Sequence, residues 1–267
     1  MTPLTAVVVD ALQFPNGARV DQRVPKKLLL ENGAPSAIDR RLITDVIDDI
    51  HWLAALKPNT IGVPEYRDKQ REYLEIAVVV VTLRGTTKRA SASRITELVH
   101  RAIPYPVLLL LADGRMLTLA LANKRRAQSE AAKVVLDGDV ISVSLSQSED
   151  ERSGDGANTA GDVERGFTRS LAISRQSQTS LHAVYQGWIE CVQALHAARR
   201  TGRYQLFATL EEVAARRNAL ADCLRLEGEI SRLRGEAAKV KQLARQVELN
   251  LTIKRIQVEL VIAQQQL

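Results

Sequence analysis

The chain has 267 residues, enough for one large domain or two smaller ones. Hydrophobic residues make up 45% and aromatics 4%, so the core must be built from Leu, Val, Ile and Ala, which is normal for helical layers and parallel strands and argues against a nucleic-acid platform of stacked rings. The net charge of +6 permits contact with nucleic acid or an acidic partner without requiring it.

Taken in chain order, residues 3–13 read as a short helix ending before Pro15, with a turn at Asn16-Gly17. Pro25 opens a second helix that stops at Asn32-Gly33. Ser36 is the expected cap of a third, with Asp39 three residues on. Ile38, Leu42, Ile43, Val46, Ile47, Ile50, Leu53 and Leu56 recur at three- and four-residue steps, which extends that helix to about residue 56, where Pro58 stops it. Trp52 is expected on its inner half. A first short strand is expected at 60–63. YLEIAVVVVTL at 73–83 is the strongest strand signal, apolar on both faces and therefore central. A helix follows at about 91–103. Pro104 and Pro106 force an extended entry into a second buried strand at 105–112, and Asp113-Gly114 turns it into a third at 115–124. A short helix is expected near 126–131 and a hairpin over 134–145, turning at Asp137-Gly138.

Residues 146–162, SQSEDERSGDGANTAGD, lack large apolar side chains and read as a linker. Beyond them the pattern is helical. One helix is expected at 179–201, with Leu181, Val184, Tyr185, Trp188, Ile189, Val192 and Leu195 on one face. The last, from about Leu210 almost to Leu267, has no proline and would extend about 80 Å as one rod. Ile230, Leu233, Ala237, Val240, Ala244 and Val247 form a heptad seam on it, and Gly228 and Gly235 are the places where it would fold into a hairpin. The expected fold class is an α/β or α+β N-terminal domain with a small mixed sheet, followed by an all-α region ending in a long coiled-coil-like helix. The expected boundaries are 1–146 for the domain, 147–162 for a flexible linker, 163–209 for a helical connector and 210–267 for the long helix.

Charge divides unevenly. Residues 1–150 hold 20 Lys and Arg against 18 Asp and Glu, whereas residues 163–267 hold 16 against 10. Cys191 and Cys223 lie in helical stretches without ligand-spaced neighbours, so neither a disulfide framework nor a zinc site is expected, and buried free thiols in a reducing cytoplasm are. The first twenty residues lack a basic region ahead of their apolar run, and no stretch approaches the roughly 20 apolar residues that span a bilayer, so neither a signal peptide nor a membrane segment is expected.

The chain carries few motifs of recognisable chemistry. There is no phosphate loop, no GxGxxG after a strand and no GxSxG elbow. His51, His100, His182 and His196 have no second donor at ligand spacing. A PD-(D/E)xK nuclease places an acid before one strand and (D/E)xK within the next, the carboxylates holding Mg²⁺ and the lysine orienting water. Glu75, preceded by Glu65 and Asp68, is compatible in order, but Glu75-Ile76-Ala77 has alanine where the lysine belongs. No catalytic residue, metal ligand or cofactor is therefore assigned. Two basic clusters are nucleic-acid candidates: Lys26 with Lys27, whose charge at a helix start opposes the dipole, and Lys124, Arg125 and Arg126 just after a strand.

Five passages together, VPKKLLLENG (24–33), IDDIHWLAALKPNTIGVP (47–64), YLEIAVVVVTL (73–83), HRAIPYPVLLLL (100–111) and KQLARQVELNLTIKRI (241–256), resemble the bacterial proteins of domain-of-unknown-function family 4391. The likeness covers nearly the whole chain, least well at 146–200. It implies a setting beside SNF2-type or DEAD-box helicases and DNA methyltransferases in anti-phage, restriction-like clusters, and so an accessory subunit. It carries over no catalytic residue. It draws attention to Lys26, Lys27, Trp52, Pro58, Thr60, Glu75, Pro104, Pro106, Lys241, Gln242, Val247, Glu248 and Asn250. Lys241, Gln242, Arg245, Glu248 and Asn250 are the expected partner-binding set, with Gln242 and Asn250 read as polar interruptions that set register. The leading expectation is a cytoplasmic adaptor whose α/β domain and C-terminal helix each dock on a helicase or on DNA. A nuclease with an altered core around Glu75 and a structural protein pairing two copies through residues 230–247 are the alternatives.

Overall fold

The computed structural model describes residues 1–127, 134–146 and 159–267. It is a mixed α/β fold in which a six-stranded sheet is followed by helices, as expected. The chain divides into two compact units, Met1–Ala157 with Gly166–Val192, and Asn158–Arg165 with Gln193–Leu267.

In the first unit, α1 (Pro3–Leu12) starts on Thr2, whose hydroxyl accepts from the Thr5 N–H at 3.3 Å. β1 (Arg19–Arg23), α2 (Lys26–Asn32) and α3 (Ala37–Val46) follow. Ser36 caps α3 as expected, accepting from the Asp39 N–H at 3.1 Å. The chain continues through β2 (Ile47–Leu56), α4 (Pro58–Ile61), β3 (Tyr66–Arg67), β4 (Glu72–Tyr73), β5 (Ile76–Leu83), α5 (Arg89–Ala102), β6 (Val107–Asp113), β7 (Met116–Leu121), β8 (Lys124–Arg126), β9 (Val134–Leu136) and β10 (Ile141–Ser146). The sheet order is β1-β2-β5-β6-β7-β10. Neighbours are antiparallel except β5 and β6, which α5 joins as a parallel crossover.

Three expectations are corrected. Residues 47–56 are a strand, not the second half of a helix. A bulge between Ile47 and Asp49 inserts one residue, so Ile47 and Ile50, three apart, meet the same core face and imitate helical spacing. Trp52 is accordingly half-buried on β2, its Nε1 donating to the Ala54 carbonyl at 2.9 Å. The expected strand at 60–63 does not form, and its first two residues end α4: Pro58 pre-sets the first turn of that helix, and Thr60 Oγ1 accepts from the Lys57 N–H at 2.8 Å. Residues 134–145 are not a hairpin, since β9 pairs with β8 and β10 with β7. Of the helix expected near 126–131, Arg126 ends β8, residue 127 follows it outside any helix, and 128–131 lie outside the described residues. The expected linker likewise lies outside them up to residue 158, and residues 159–162 open α6 (Thr159–Ser170).

One face of the sheet packs on α2, α3 and α5. Leu29, Ile43, Ile95, Leu98 and Val99 meet Ala77, Val79, Val81, Val107, Leu109 and Leu111 in one cluster. The first part of α7 (Leu181–Thr201) reaches the start of β6 and the end of β7. There the buried Tyr185 hydroxyl donates to the Val107 carbonyl at 2.8 Å and accepts from the Ala122 N–H at 2.9 Å. All seven residues of the stripe expected on α7 are buried.

The expected single rod at the C-terminus is two helices, α8 (Leu210–Ala237) and α9 (Leu243–Gln264), joined by five residues. They pack as an antiparallel hairpin. Leu226, Ile230, Leu233 and Ala237 meet Leu249, Ile253 and Ile256, both sets at alternating four- and three-residue steps. Folding back hides six large apolar side chains that a rod would expose. At roughly 2 kcal/mol each this outweighs the few backbone hydrogen bonds forgone at the turn, worth about 1 kcal/mol apiece. The seam foreseen at 230–247 is thus divided: Ile230, Leu233 and Ala237 pack within the hairpin, while Ala244 and Val247 face solvent. Among the described residues no helix is long and apolar enough to cross a membrane.

Candidate nucleic-acid and partner interface

The basic residues singled out in the sequence fall in three places, and their surroundings differ. Lys26 lies at the head of β2, where its Nζ donates to the Ile47 carbonyl and, at 3.5 Å, to that of Thr44. It borders a cleft of about 410 Å³ lined by Arg23, Val24, Pro25, Lys26, Asp48, Asp49 and Ile50. Arg23 pairs with Asp49 at 2.6 Å and Arg84 with Asp48 at 3.4 Å. Burial, and then the Arg84 charge, hold the Lys26 ammonium below its ordinary range. Lys27 points to solvent beside Glu31 at 3.6 Å.

Lys124, Arg125 and Arg126 are at the opposite end of the sheet. Lys26 sits where β2 begins and β5 ends, whereas Lys124 sits where β6 begins. The eight residues of β5 put about 25 Å between the two ends. Lys124 is 4% exposed, and its Nζ donates to the carbonyls of Ile103 and, at 2.5 Å, Tyr105. Burial pushes its pKa down to about 7. His100 is buried nearby, and neither ring nitrogen makes a hydrogen bond of normal geometry among the described residues. Burial first, and the Lys124 charge second, push His100 down to about 3. Arg125 lies 3.6 Å from Asp137, which also takes Arg71 at 2.7 Å, and Arg126 pairs with Glu72. These two arginines therefore tie β8 to its surroundings. Tyr66 stacks on His182 with ring centroids 4.7 Å apart, and Tyr73 meets the same ring edge-on at 4.8 Å, which packs the segment 66–73 against the start of α7.

Glu75 adjoins this end and pairs with Lys57 at 3.0 Å. The strand start that carries acids in this sheet is instead Asp48-Asp49 on β2. Its neighbour in register on β5 is Thr82, so a hydroxyl stands where a second carboxylate would face a metal, with Arg84 two residues on. Sequence reading missed this juxtaposition because it placed 48 and 49 in a helix. Among the described residues no group of three or more His, Cys, Asp or Glu side chains could hold a metal ion.

The third place is the turn of the α8–α9 hairpin. From Ile230 to Val247 the chain carries Arg232, Arg234, Lys239, Lys241 and Arg245 against the single acid Glu236. All five cations are exposed. Glu236 takes Arg232 at 3.4 Å and, across the hairpin, Arg245 at 3.7 Å. Arg234, Lys239 and Lys241 have no carboxylate partner among the described residues. Gln242 is the extended residue before α9, with no side-chain cap and no acid in the first turn, so the helix start adds to the positive potential. Of the expected partner set, Lys241, Gln242 and Arg245 come together here. Glu248 is one turn along α9, paired with Arg245 at 2.7 Å, and Asn250 is exposed beyond it. Gln242 and Asn250 lie off the packed face, which corrects their reading as interruptions of a seam. Arg234 and Lys239 were missed as members of this group because their meeting depends on the turn. The only signal was the density of cations around it.

Of these three places, the hairpin tip carries exposed cations that have no carboxylate partner among the described residues. The family model described as Domain of unknown function (DUF4391) matches residues 12–260. No curated protein and no solved structure matches the chain.

Proposed function

The chain belongs to the family described as Domain of unknown function (DUF4391), and we propose that it is a cytoplasmic, non-catalytic accessory subunit of a helicase-containing bacterial anti-phage, restriction-like system. In this reading it holds an SNF2- or DEAD-box-type helicase near DNA, and the basic tip of the α8–α9 hairpin is the surface that meets phosphate. The observation that carries it is the tip: five exposed cations within fourteen residues, facing one carboxylate. Cations so placed on a rigid hairpin suit backbone contact rather than base reading, because no aromatic or amide array stands beside them to specify sequence. The helicase setting comes from the sequence resemblance, and the short antiparallel coiled coil gives such a subunit a stiff arm.

Binding of a fluorescent 30-base-pair duplex tests the DNA half. Replacing Arg234, Lys239, Lys241 and Arg245 by Ala should weaken binding by about 10- to 100-fold at 100 mM salt, while Lys26→Ala with Lys27→Ala should change it less than about 2-fold. Equal binding by all variants would remove the tip from the account. Co-purification with the helicase encoded beside it tests the other half. Two chains that stay apart at micromolar concentration would contradict it.

A further inference from the structure

α9 has a second apolar face that the hairpin does not use. Its inner residues Leu249, Ile253 and Ile256 are buried against α8. Leu243, Val247, Leu251, Val258, Val261 and Ile262 are 50–75% exposed. At about 100° per residue these six fall within roughly 100° of one another, on the side of the helix opposite the inner set. With about 200 Å² for a fully exposed Leu or Ile and somewhat less for Val, they leave roughly 600 Å² of apolar surface. That is the top of the range for a monomer patch and close to the roughly 800 Å² each partner buries in a stable interface.

The outer face has its own heptad. Ala244, Leu251 and Val258 take one seam position, and Val247, Lys254 and Val261 take the other. One edge carries Glu248 and Arg255 a heptad apart, while the other carries the uncharged Asn250 and Gln257. In a parallel pair of such helices Lys254 would meet Lys254 of the second copy, and neither Glu248 nor Arg255 would face an opposite charge. In an antiparallel pair like edges face each other. Glu248 then opposes Arg255 of the second copy and the reverse, Val247 opposes Val258, and each Lys254 lays its aliphatic stem on Leu251 while its ammonium reaches water.

We propose that this outer face of α9 binds a second copy of the chain in antiparallel register, so that two hairpins make a four-helix bundle. The area fits a dimer, and the charges at 248 and 255 are complementary only under a two-fold axis. This stands apart from the role of the basic tip, and of the seam at 230–247 it uses only Ala244 and Val247, because Ile230, Leu233 and Ala237 pack within the hairpin.

Sedimentation equilibrium of the full chain from 1 to 200 µM tests it. The unaltered chain should dimerise in that range. Leu251→Glu should weaken the dimer at least about 100-fold with unchanged circular dichroism and melting temperature, because Leu251 is 62% exposed. Glu248→Arg and Arg255→Glu should each weaken it about 5- to 10-fold, and the double reversal should restore it to within about 3-fold. The intrachain pair of Glu248 with Arg245 is exposed and contributes little to this difference. A monomer at 200 µM overturns the proposal, as does a dimer indifferent to Leu251→Glu. A double reversal that fails to restore pairing overturns the register. A monomeric chain whose outer face instead captures the helicase, with capture lost in Leu251→Glu, assigns the face to that partner and overturns the second copy.

Discussion

The cations at the two ends of the sheet and those at the hairpin tip are the same residue types in opposite situations. At the sheet ends Arg23, Arg84, Arg71, Arg125 and Arg126 each have a carboxylate, and Lys124 is buried on backbone carbonyls. At the tip Arg234, Lys239 and Lys241 are exposed and have none among the described residues. The difference teaches that clusters of Lys and Arg in a sequence do not mark a binding surface. A cation whose neutraliser is supplied by its own fold stabilises that fold, and one left without a neutraliser is available to another molecule.

That contrast can be broken or sharpened by experiment, and the largest effect belongs to the buried end. His100 is held at about 3 against an ordinary 6.5, so between those values the unfolded chain takes a proton that the folded chain refuses. Stability should fall as pH falls through that window, by up to roughly 5 kcal/mol. Lys124 is held at about 7 against 10.5, so above pH 7 the unfolded chain keeps a proton the folded chain has released. Stability should rise with pH over that interval by up to roughly 5 kcal/mol. Urea unfolding across pH reads both arms, and His100→Phe should flatten the acid arm alone. A flat profile in the unaltered chain would mean that this end is not sealed from water.

An intermediate effect is expected from one paired cation. Arg71→Ala removes the closer partner of Asp137, two-thirds buried, and should cost about 1–2 kcal/mol in urea unfolding. The smallest stability effect is expected at the tip, where replacing Arg234, Lys239 and Lys241 by Ala should move stability by less than about 0.5 kcal/mol. Should the tip variant lose as much stability as Arg71→Ala, its cations would be structural like those of the sheet, and the contrast would disappear.

How much of this was legible depended on whether the signal was local. The apolar runs of β5 and β6, the amphipathic α5 and the stripe of α7 were readable because burial on both faces, or one face at helical spacing, is written in consecutive residues. β2 was not, because its bulge converts strand alternation into a three-residue step that imitates a helix. The C-terminal hairpin was half legible. The apolar spacing and the chance of a fold-back could be read, but the turn came at 238–242, just beyond Gly235, set by where the two apolar sides match rather than by any glycine or proline. The site suffered accordingly. Lys241 and Arg245 could be named, whereas Lys26 and Lys124 drew attention as charges although their partners, Ile47, Ile103 and Tyr105, are 19–21 residues away.

The salt dependence of duplex binding tests the central claim most directly. For a tip that neutralises about four phosphates, the logarithm of the binding constant should fall with the logarithm of salt concentration at a slope near −3.6. Neutralising Arg234, Lys239, Lys241 and Arg245 should bring that slope close to zero. A slope that survives this change, or that is lost instead when Lys26 and Lys27 are replaced, would contradict the assignment of the hairpin tip as the surface that meets nucleic acid.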